Sequence, residues 1–187
     1  MPTALTSQDL FDRFTELGIA TRTVEHPPLF TVEDSQALRG EIAGGHTKNL
    51  FLKDKKGNLF LVVVEEEARV DLKSLHVPLG AASRLSFGSA ELLEEVLGVK
   101  PGAVTAFGPV NDTQGRVTVV LDAGLMAYEV INCHPLVNTA TTTIARDDLI
   151  RFLRATGHEP IILAVPRRAE ETKDEAGGEA GGEATPG

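Results

Sequence analysis

The sequence has one cysteine, no tryptophan and a single tyrosine, and each scarcity excludes a class of protein. The lone Cys133 rules out an intrachain disulfide and any metal site built from several cysteines. No apolar run approaches the roughly 20 residues needed to span a bilayer, and the N-terminus lacks the apolar core of a signal peptide. We therefore expect a soluble, cytoplasmic protein without a membrane partner.

The apolar content is sufficient for one hydrophobic core. At 187 residues and 42% hydrophobic, the chain fits a single domain. Its core must rest on leucine, valine, isoleucine and eight phenylalanines.

Charge is unevenly distributed along the chain. Residues 169–187 carry six acids and one lysine, so this end accounts for −5 of the net charge of −9. Its Gly-Gly-Glu-Ala repeats contain no large apolar residue that could offset the entropy of ordering. We predict a folded domain over residues 1–166 and a disordered acidic tail over residues 167–187. The mildly acidic domain argues against DNA as a partner, although a local basic patch can still hold one RNA end.

Periodicity and capping signals predict an α+β fold, a mixed and curved, barrel-like sheet flanked by helices. The helical segments are residues 7–17, 31–42, 71–75, 90–97 and 147–155. The strand segments are residues 20–25, 48–53, 58–65, 84–87, 116–122, 127–132, 139–144 and 160–165. The unbroken apolar run over residues 59–64 predicts a central strand that is covered on both faces.

The most informative stretch is Gly45-His46-Thr47-Lys48-Asn49-Leu50-Phe51-Leu52. It places a lysine and a carboxamide at the start of an apolar strand, where an unpaired buried ammonium is costly. Lys48 and Asn49 should therefore meet something anionic or strongly polar. A second polar cluster, residues 132–139, also interrupts strand-like sequence, which indicates a site built from separate strands.

The usual catalytic groups are missing. Cys133 and His134 are sequence neighbours and point to opposite faces of a strand, so a Cys–His pair is disfavoured. The histidines lack metal-ligand spacing, and no Walker motif occurs; we predict neither a metal nor a cofactor. The loop Gly98–Gly102 can expose the N–H groups of Gly102, Ala103 and Val104 to an anion, although spacing alone favours a plain connection. Lys48, Asn49, this loop and His134 then suit attack by water on an activated ester.

At these residues the chain resembles the YbaK-like family of prolyl-tRNA-synthetase-associated editing domains, and within it the freestanding deacylases of Ala-tRNA(Pro). The matching stretches are His26-Pro27, Thr47–Leu52, Asp71–Lys73, Leu85–Ser89, Gly98–Thr105, Val110–Asp112, Val119–Asp122 and Cys133–Asn138. The resemblance as a whole covers about residues 5 to 165.

The resemblance implies roles for particular residues. Lys48 matches the family lysine that contacts the terminal nucleotide and fixes the ester, Asn49 forms part of the pocket, and His134 lines the amino-acid pocket and limits its size. The Gly-x-x-x-Pro loop of the family corresponds to Gly102-Ala103-Val104-Thr105-Ala106, with Ala106 in place of the proline. We therefore assign Lys48, Asn49, Gly102 and His134 as catalytic. The substrate-binding set is His26, Ala103, Val104, Thr105, Ala106 and Asn138.

The implied activity is hydrolysis of the ester of mischarged tRNA(Pro), with Ala-tRNA(Pro) as the expected substrate. The implied partners are the acceptor end of tRNA(Pro) and prolyl-tRNA synthetase. Three alternatives stay open: a non-catalytic module that binds tRNA or a synthetase, a deacylase for Cys- or Ser-charged tRNA, and a metal hydrolase.

Overall fold

This computed structural model describes residues 3–28, 33–34, 37 and 42–169. Eight strands and four α-helices have their bounds within these residues. The strands are β1 (Thr21–Glu25), β2 (Gly45–Lys53), β3 (Leu59–Glu65), β4 (Ser86–Phe87), β5 (Val117–Asp122), β6 (Val130–Cys133), β7 (Ala140–Ala145) and β8 (Ile161–Leu163). The helices are α1 (Ser7–Glu16), α2 (His76–Leu79), α3 (Ala90–Leu97) and α4 (Arg146–Ala155), and 3₁₀ helices span Gly108–Asn111 and Ala123–Ala127.

The strands form one mixed sheet in the order β1-β7-β6-β2-β3-β5-β8, with β4 paired to β2. The pairs β2–β6, β3–β5 and β5–β8 are parallel, and the remaining pairs are antiparallel. This arrangement confirms the predicted α+β class. Strand β3 lies inside the sheet between β2 and β5, and its residues 59–64 are all buried as predicted.

The hairpin between β2 and β3 is closed by Asp54. Its carboxylate accepts hydrogen bonds from Lys56 N, Asn58 N, Asn58 Nδ2 and Ala82 N at 2.8–3.0 Å. These bonds, that from the Asn58 side chain first, lower the pKa of Asp54 to about 2. The turn is thereby fixed, and with it the register that sets Lys48 opposite Val64.

The sheet separates two hydrophobic cores because alternate residues of a strand face opposite sides. The larger core lies under the helices and includes Phe51, Leu61 and Cys133. At its centre the rings of Phe14, Phe107 and Phe152 meet edge to face, with centroids 5.1–5.6 Å apart. The smaller core lies on the other side of β2 and β3 and contains Leu52, Phe60, Val62, Val64, Val70 and Leu75. We call these two sides the core face and the outer face.

The predicted helix ends follow from their caps. Thr6 forms a capping box with Asp9 at the start of α1, and the Ser89 side chain accepts from Leu92 N at the start of α3. Gly98 then adopts φ 66°, which ends α3 in the left-handed conformation that glycine favours. None of the helices in the described residues is both long and apolar enough to cross a membrane.

Some boundaries differ from the prediction. The short helix expected over residues 71–75 is instead a turn capped by Asp71, which accepts from Ser74 Oγ and Lys73 N, and α2 begins at His76. The strand expected from residue 127 begins at Val130, because the 3₁₀ helix Ala123–Ala127 includes the first of its expected residues. The helix expected over residues 31–42 lies mostly outside the described residues.

The chain stays attached to the domain beyond residue 166. Arg167 forms an isolated antiparallel β-bridge with Val70, and Arg168 N donates to Arg69 O at 2.8 Å. The Arg167 side chain also donates to Asp122 Oδ2 at 2.6 Å. Residues 170–187 lie outside the described part, so the predicted tail stays a prediction.

Candidate functional site

At the start of β2, two glycines lie so close to neighbouring residues that no side chain would fit. A Cβ on Gly44, whose φ is 109°, would lie 2.6 Å from Val130 Cγ2, and one on Gly45 would lie 2.7 Å from the Tyr128 ring. Buried Asn132 of β6 stabilises the segment before β2, because its amide nitrogen donates to Ala43 O at 3.1 Å. The Gly44-Gly45 pair therefore lets β2 approach β6 closely enough for the two strands to pair.

The side chains of Lys48 and Asn49 point to opposite faces of the sheet. Lys48 shares the outer face with Leu50 and Leu52, whereas Asn49 shares the core face with Thr47 and Phe51. The Oδ1 atom of Asn49 is buried and accepts no hydrogen bond from the described residues. Of these two polar side chains, only that of Lys48 is therefore directed to the outer face.

The backbone of Asn49 faces a gap in the sheet. On the edge of β2 away from β3, β6 pairs with residues 45–46 and β4 with residues 52–53, and no strand of the described residues pairs between them. Glu66 N donates to His46 O on the β3 side, and Gly88 N donates to Phe51 O on the other side. By alternation, the N–H and C=O of Asn49 are directed into the gap.

Lys48 is half-buried in a cationic environment. Burial, followed by the neighbouring guanidinium groups of Arg168 and Arg167, lowers the pKa of Lys48, and the Glu66 carboxylate opposes this shift. Within the described residues, Lys48 forms no ion pair with a carboxylate. A site with excess positive charge favours an anionic ligand.

His134 is held beside His26 at the end of β6. Because Cys133 faces the core, His134 is turned towards the outer face, which also carries Lys48. The two imidazole centroids lie 6.4 Å apart. His134 Nδ1 lies 3.1 Å from Ala140 O, and His26 Nε2 lies 2.8 Å from Thr141 Oγ1. The two histidines that precede prolines thus come together, across β1, β6 and β7.

Burial also lowers the pKa of His134, and the nearby His26 ring adds to this effect. The backbone contact to Ala140 O and the carboxylate of Glu66 oppose it. Glu66 therefore acts on both Lys48 and His134, which places all three groups in one electrostatic neighbourhood.

The loop Gly102–Ala106 lies against the residues that follow β6. Buried Thr105 donates its hydroxyl to His134 O at 2.6 Å, and a Cβ on Gly102 would lie 3.7 Å from Asn138 Nδ2. Ala103 and Ala106 are buried in the larger core, and Val104 packs against it.

Two of the roles considered for this loop change in the structure. Ala103 N donates to Lys100 O at 3.0 Å, so this N–H is not free to bind an oxyanion. Thr105 and Ala106 are fully buried, and Thr105 supports the backbone of His134. The loop therefore positions the His134–Asn138 segment, and its remaining role in binding substrate stays a prediction.

Other polar groups have structural partners. Cys133 is 2% exposed, and burial raises the pKa of its thiol to about 12. His158 follows α4, and its buried ring lies 2.8 Å from Asp112 Oδ2, so it joins the end of α4 to the loop before β5. Among the described residues, no group of three or more His, Cys, Asp or Glu side chains is arranged to hold a metal ion.

Sequence reasoning missed three supporting residues of the site. Thr143 donates its hydroxyl to Asn132 Oδ1 at 2.5 Å, Thr141 contacts His26, and Glu66 acts on both Lys48 and His134. The signal for the two threonines was their spacing of two residues within β7, which puts both hydroxyls on one face.

The chain is similar to known proteins in sequence and in fold. The family model of aminoacyl-tRNA editing domains matches residues 26–152. The chain is 42% identical over 159 residues to prolyl-tRNA synthetase associated domain-containing protein 1 of Danio rerio, across 84% of this chain and 86% of the relative. It is 35% identical over 152 residues to the prolyl-tRNA editing protein ProX of Acetoanaerobium sticklandii, across 81% of this chain and 92% of the relative.

Among solved structures, the crystal structure of a proposed trans-editing enzyme for prolyl-tRNA synthetase superposes with a TM-score of 0.67. The superposition covers 90% of this chain and 100% of that chain at 20% identity. At this identity the likeness supports the fold.

Proposed function

The chain belongs to the family of aminoacyl-tRNA editing domains, and on that premise we propose that it is a trans-acting deacylase of mischarged tRNA(Pro). The proposed substrate is Ala-tRNA(Pro), and the reaction is hydrolysis of the ester between the amino acid and the terminal adenosine. The proposed partners are the acceptor end of tRNA(Pro) and prolyl-tRNA synthetase.

The observation that carries this proposal is the environment of Lys48. Its ammonium is half-buried, lies near two arginines and Glu66, and forms no ion pair within the described residues. An RNA end would bring further negative charge to Lys48 and the two arginines through its phosphates. Lys48 would then hold the terminal nucleotide and fix the ester beside the His26–His134 pair.

Water is the proposed nucleophile. Cys133 cannot readily supply a thiolate, because it is buried and its pKa is raised to about 12. The oxygen of a water molecule would attack the ester carbonyl carbon, and the tetrahedral intermediate would collapse by breaking the bond to the ribose oxygen, which takes up a proton. The free ribose hydroxyl of the substrate would help to orient the water.

Selectivity for a small amino acid is proposed to arise from a tight wall at His134. Its ring is held by Ala140 O, and its backbone is held by the buried Thr105 hydroxyl. A rigid wall can exclude a larger side chain by roughly 1–3 kcal/mol per methylene. Proline would be rejected in this way while alanine enters.

The test is deacylation of a panel of tRNA(Pro) esters that carry alanine, cysteine, serine or proline. We expect the alanyl ester to be cleaved fastest and the prolyl ester to persist. Lys48→Ala should lower kcat/KM for the alanyl ester roughly 10²–10³-fold, which is the usual effect of removing one positioned donor.

A matched control is available on the same strand. Lys53→Ala removes a half-buried lysine from the far end of β2 and should leave deacylation unchanged. Equal activity of Lys48→Ala and wild type would contradict the role of Lys48, provided both proteins melt alike. Cleavage of none of the four esters would favour a non-catalytic binding module.

A further inference from the structure

A groove on the outer face runs away from Lys48. It has a volume of about 580 Å³ and is lined by Lys48, Leu50, Val70, Lys73, Phe87 and Arg168, among others; we call it the Lys48 groove. Three of these side chains are cationic. The acid Asp71 also lines the groove, but its carboxylate accepts from Ser74 Oγ and Lys73 N. The lining therefore carries a net positive charge.

The groove also presents an aromatic ring to solvent. Phe87 is 59% exposed, although most large apolar side chains of the described residues are buried. Phe87 pairs with Leu52, and residues that pair across strands share a face, so its ring lies on the outer face.

The position of Phe87 is fixed by its neighbour. A Cβ on Gly88 would lie 2.4 Å from the Phe51 ring, and Gly88 N donates to Phe51 O at 3.0 Å. Gly88 therefore allows β4 to lie directly against β2. An exposed ring on a fixed backbone is a suitable surface for stacking, since little conformational entropy is lost on binding.

We propose that the Lys48 groove binds the single-stranded end of RNA upstream of the terminal adenosine, with one base stacked on Phe87. Cations that track a backbone and an aromatic ring that stacks a base are the two features by which single strands are held without sequence readout. Lys73 and Arg168 contact the phosphates, and Lys48 meets the terminal nucleotide. This inference rests on the proposed function and adds the binding path of the substrate.

Ala169 lines the groove, and the sequence that follows it is acidic. The charge of the groove alone would therefore also suit an acidic peptide, such as one with the sequence of residues 170–187. Phe87 favours RNA, because those residues contain no aromatic side chain or base to stack on the ring.

The test compares Phe87→Ala with wild type by fluorescence anisotropy, using a labelled single-stranded RNA hexanucleotide that ends in CCA. We expect roughly 5- to 150-fold weaker binding, because base–aromatic stacking contributes about 1–3 kcal/mol. Phe87→Trp, which keeps an aromatic ring at this position, should bind the RNA like wild type. Val77→Ala is the matched control, since Val77 is 70% exposed but does not line the groove.

Phosphate contacts are tested by salt dependence. Arg168→Ala should reduce the slope of log K against log salt by about 0.7, the value for one phosphate on a single strand. An unchanged slope, or equal RNA binding by Phe87→Ala and wild type, would overturn the proposal. So would competition by a peptide of residues 170–187 that is stronger than competition by the unlabelled RNA.

Two ester substrates separate this proposal from the proposed function. Phe87→Ala should hydrolyse an alanyl acceptor-stem minihelix with a raised KM, yet hydrolyse alanyl-adenosine, which lacks upstream nucleotides, like wild type. If wild type cleaves both and the variant is unaffected on both, the groove proposal fails while the function stands. If wild type binds RNA through Phe87 but cleaves neither ester, the function fails while the groove stands.

Discussion

Replacing Thr105 by valine tests whether the loop before the first 3₁₀ helix supports the site. The Thr105 hydroxyl donates to His134 O at 2.6 Å and accepts from Phe107 N at 3.2 Å. His134 O also accepts from Leu136 N, so the carbonyl keeps one partner, whereas the buried Phe107 N–H loses its own. One lost neutral hydrogen bond and one buried unsatisfied donor together give a loss of about 2–3 kcal/mol.

Thr105→Ser is the matched control, because it keeps the hydroxyl and removes one methyl group at a cost of about 1 kcal/mol. In urea unfolding, the free energy of unfolding should decrease from wild type to the serine variant and again to the valine variant. The valine variant should also deacylate Ala-tRNA(Pro) more slowly at a temperature where it is fully folded, because the His134 backbone is less firmly held. A valine variant that is more stable than the serine variant would refute the assignment of Thr105 as a hydrogen-bonding support.

Three further outcomes follow from single contacts. Gly88→Ala should destabilise the fold by about 1–3 kcal/mol in urea unfolding, because a Cβ there would lie 2.4 Å from the Phe51 ring; unchanged stability would contradict that packing. Cys133 should react with a thiol reagent at neutral pH only after unfolding, because burial raises its pKa to about 12, and rapid labelling of the native protein would contradict this. The lowered pKa of His134 means that the unfolded chain binds more protons, so stability should fall as pH drops through about 6.5 and below. His134→Gln should lose that part of the pH dependence, as measured by urea unfolding at several pH values.

The hairpin and the helix ends could be predicted because their signals are local. Asp54 is followed four residues later by Asn58, and the turn closes through bonds between these two residues. Thr6 and Ser89 stand before helical periodicity, where a side-chain oxygen satisfies a free backbone N–H. Such interactions span at most a few residues, so the sequence contains nearly all of the information needed to find them.

The arrangement of the site could not be predicted in the same way. Lys48 and Asn49 are adjacent in sequence, yet the pleat of β2 directs their side chains to opposite faces. His26 and His134 are 108 positions apart in the numbering, and only the antiparallel pairing of β1, β7 and β6 brings their rings to 6.4 Å. The residue types indicated a polar site, but the sheet register decided which of them meet.

The electrostatics of Lys48 connect the proposed function with the proposed groove. Arg167 and Arg168 lie close enough to lower the pKa of Lys48, so the free protein carries unfavourable repulsion between cations. Arg167 is partly neutralised by Asp122, but Arg168 lines the Lys48 groove. A phosphate placed between Arg168 and Lys48 would replace repulsion by two attractions, and it would raise the pKa of Lys48 towards its ordinary value. The repulsion in the free protein would thus favour a bound RNA end over an empty groove, and the proposed groove would allow a chain with a net charge of −9 to bind a polyanion at one place.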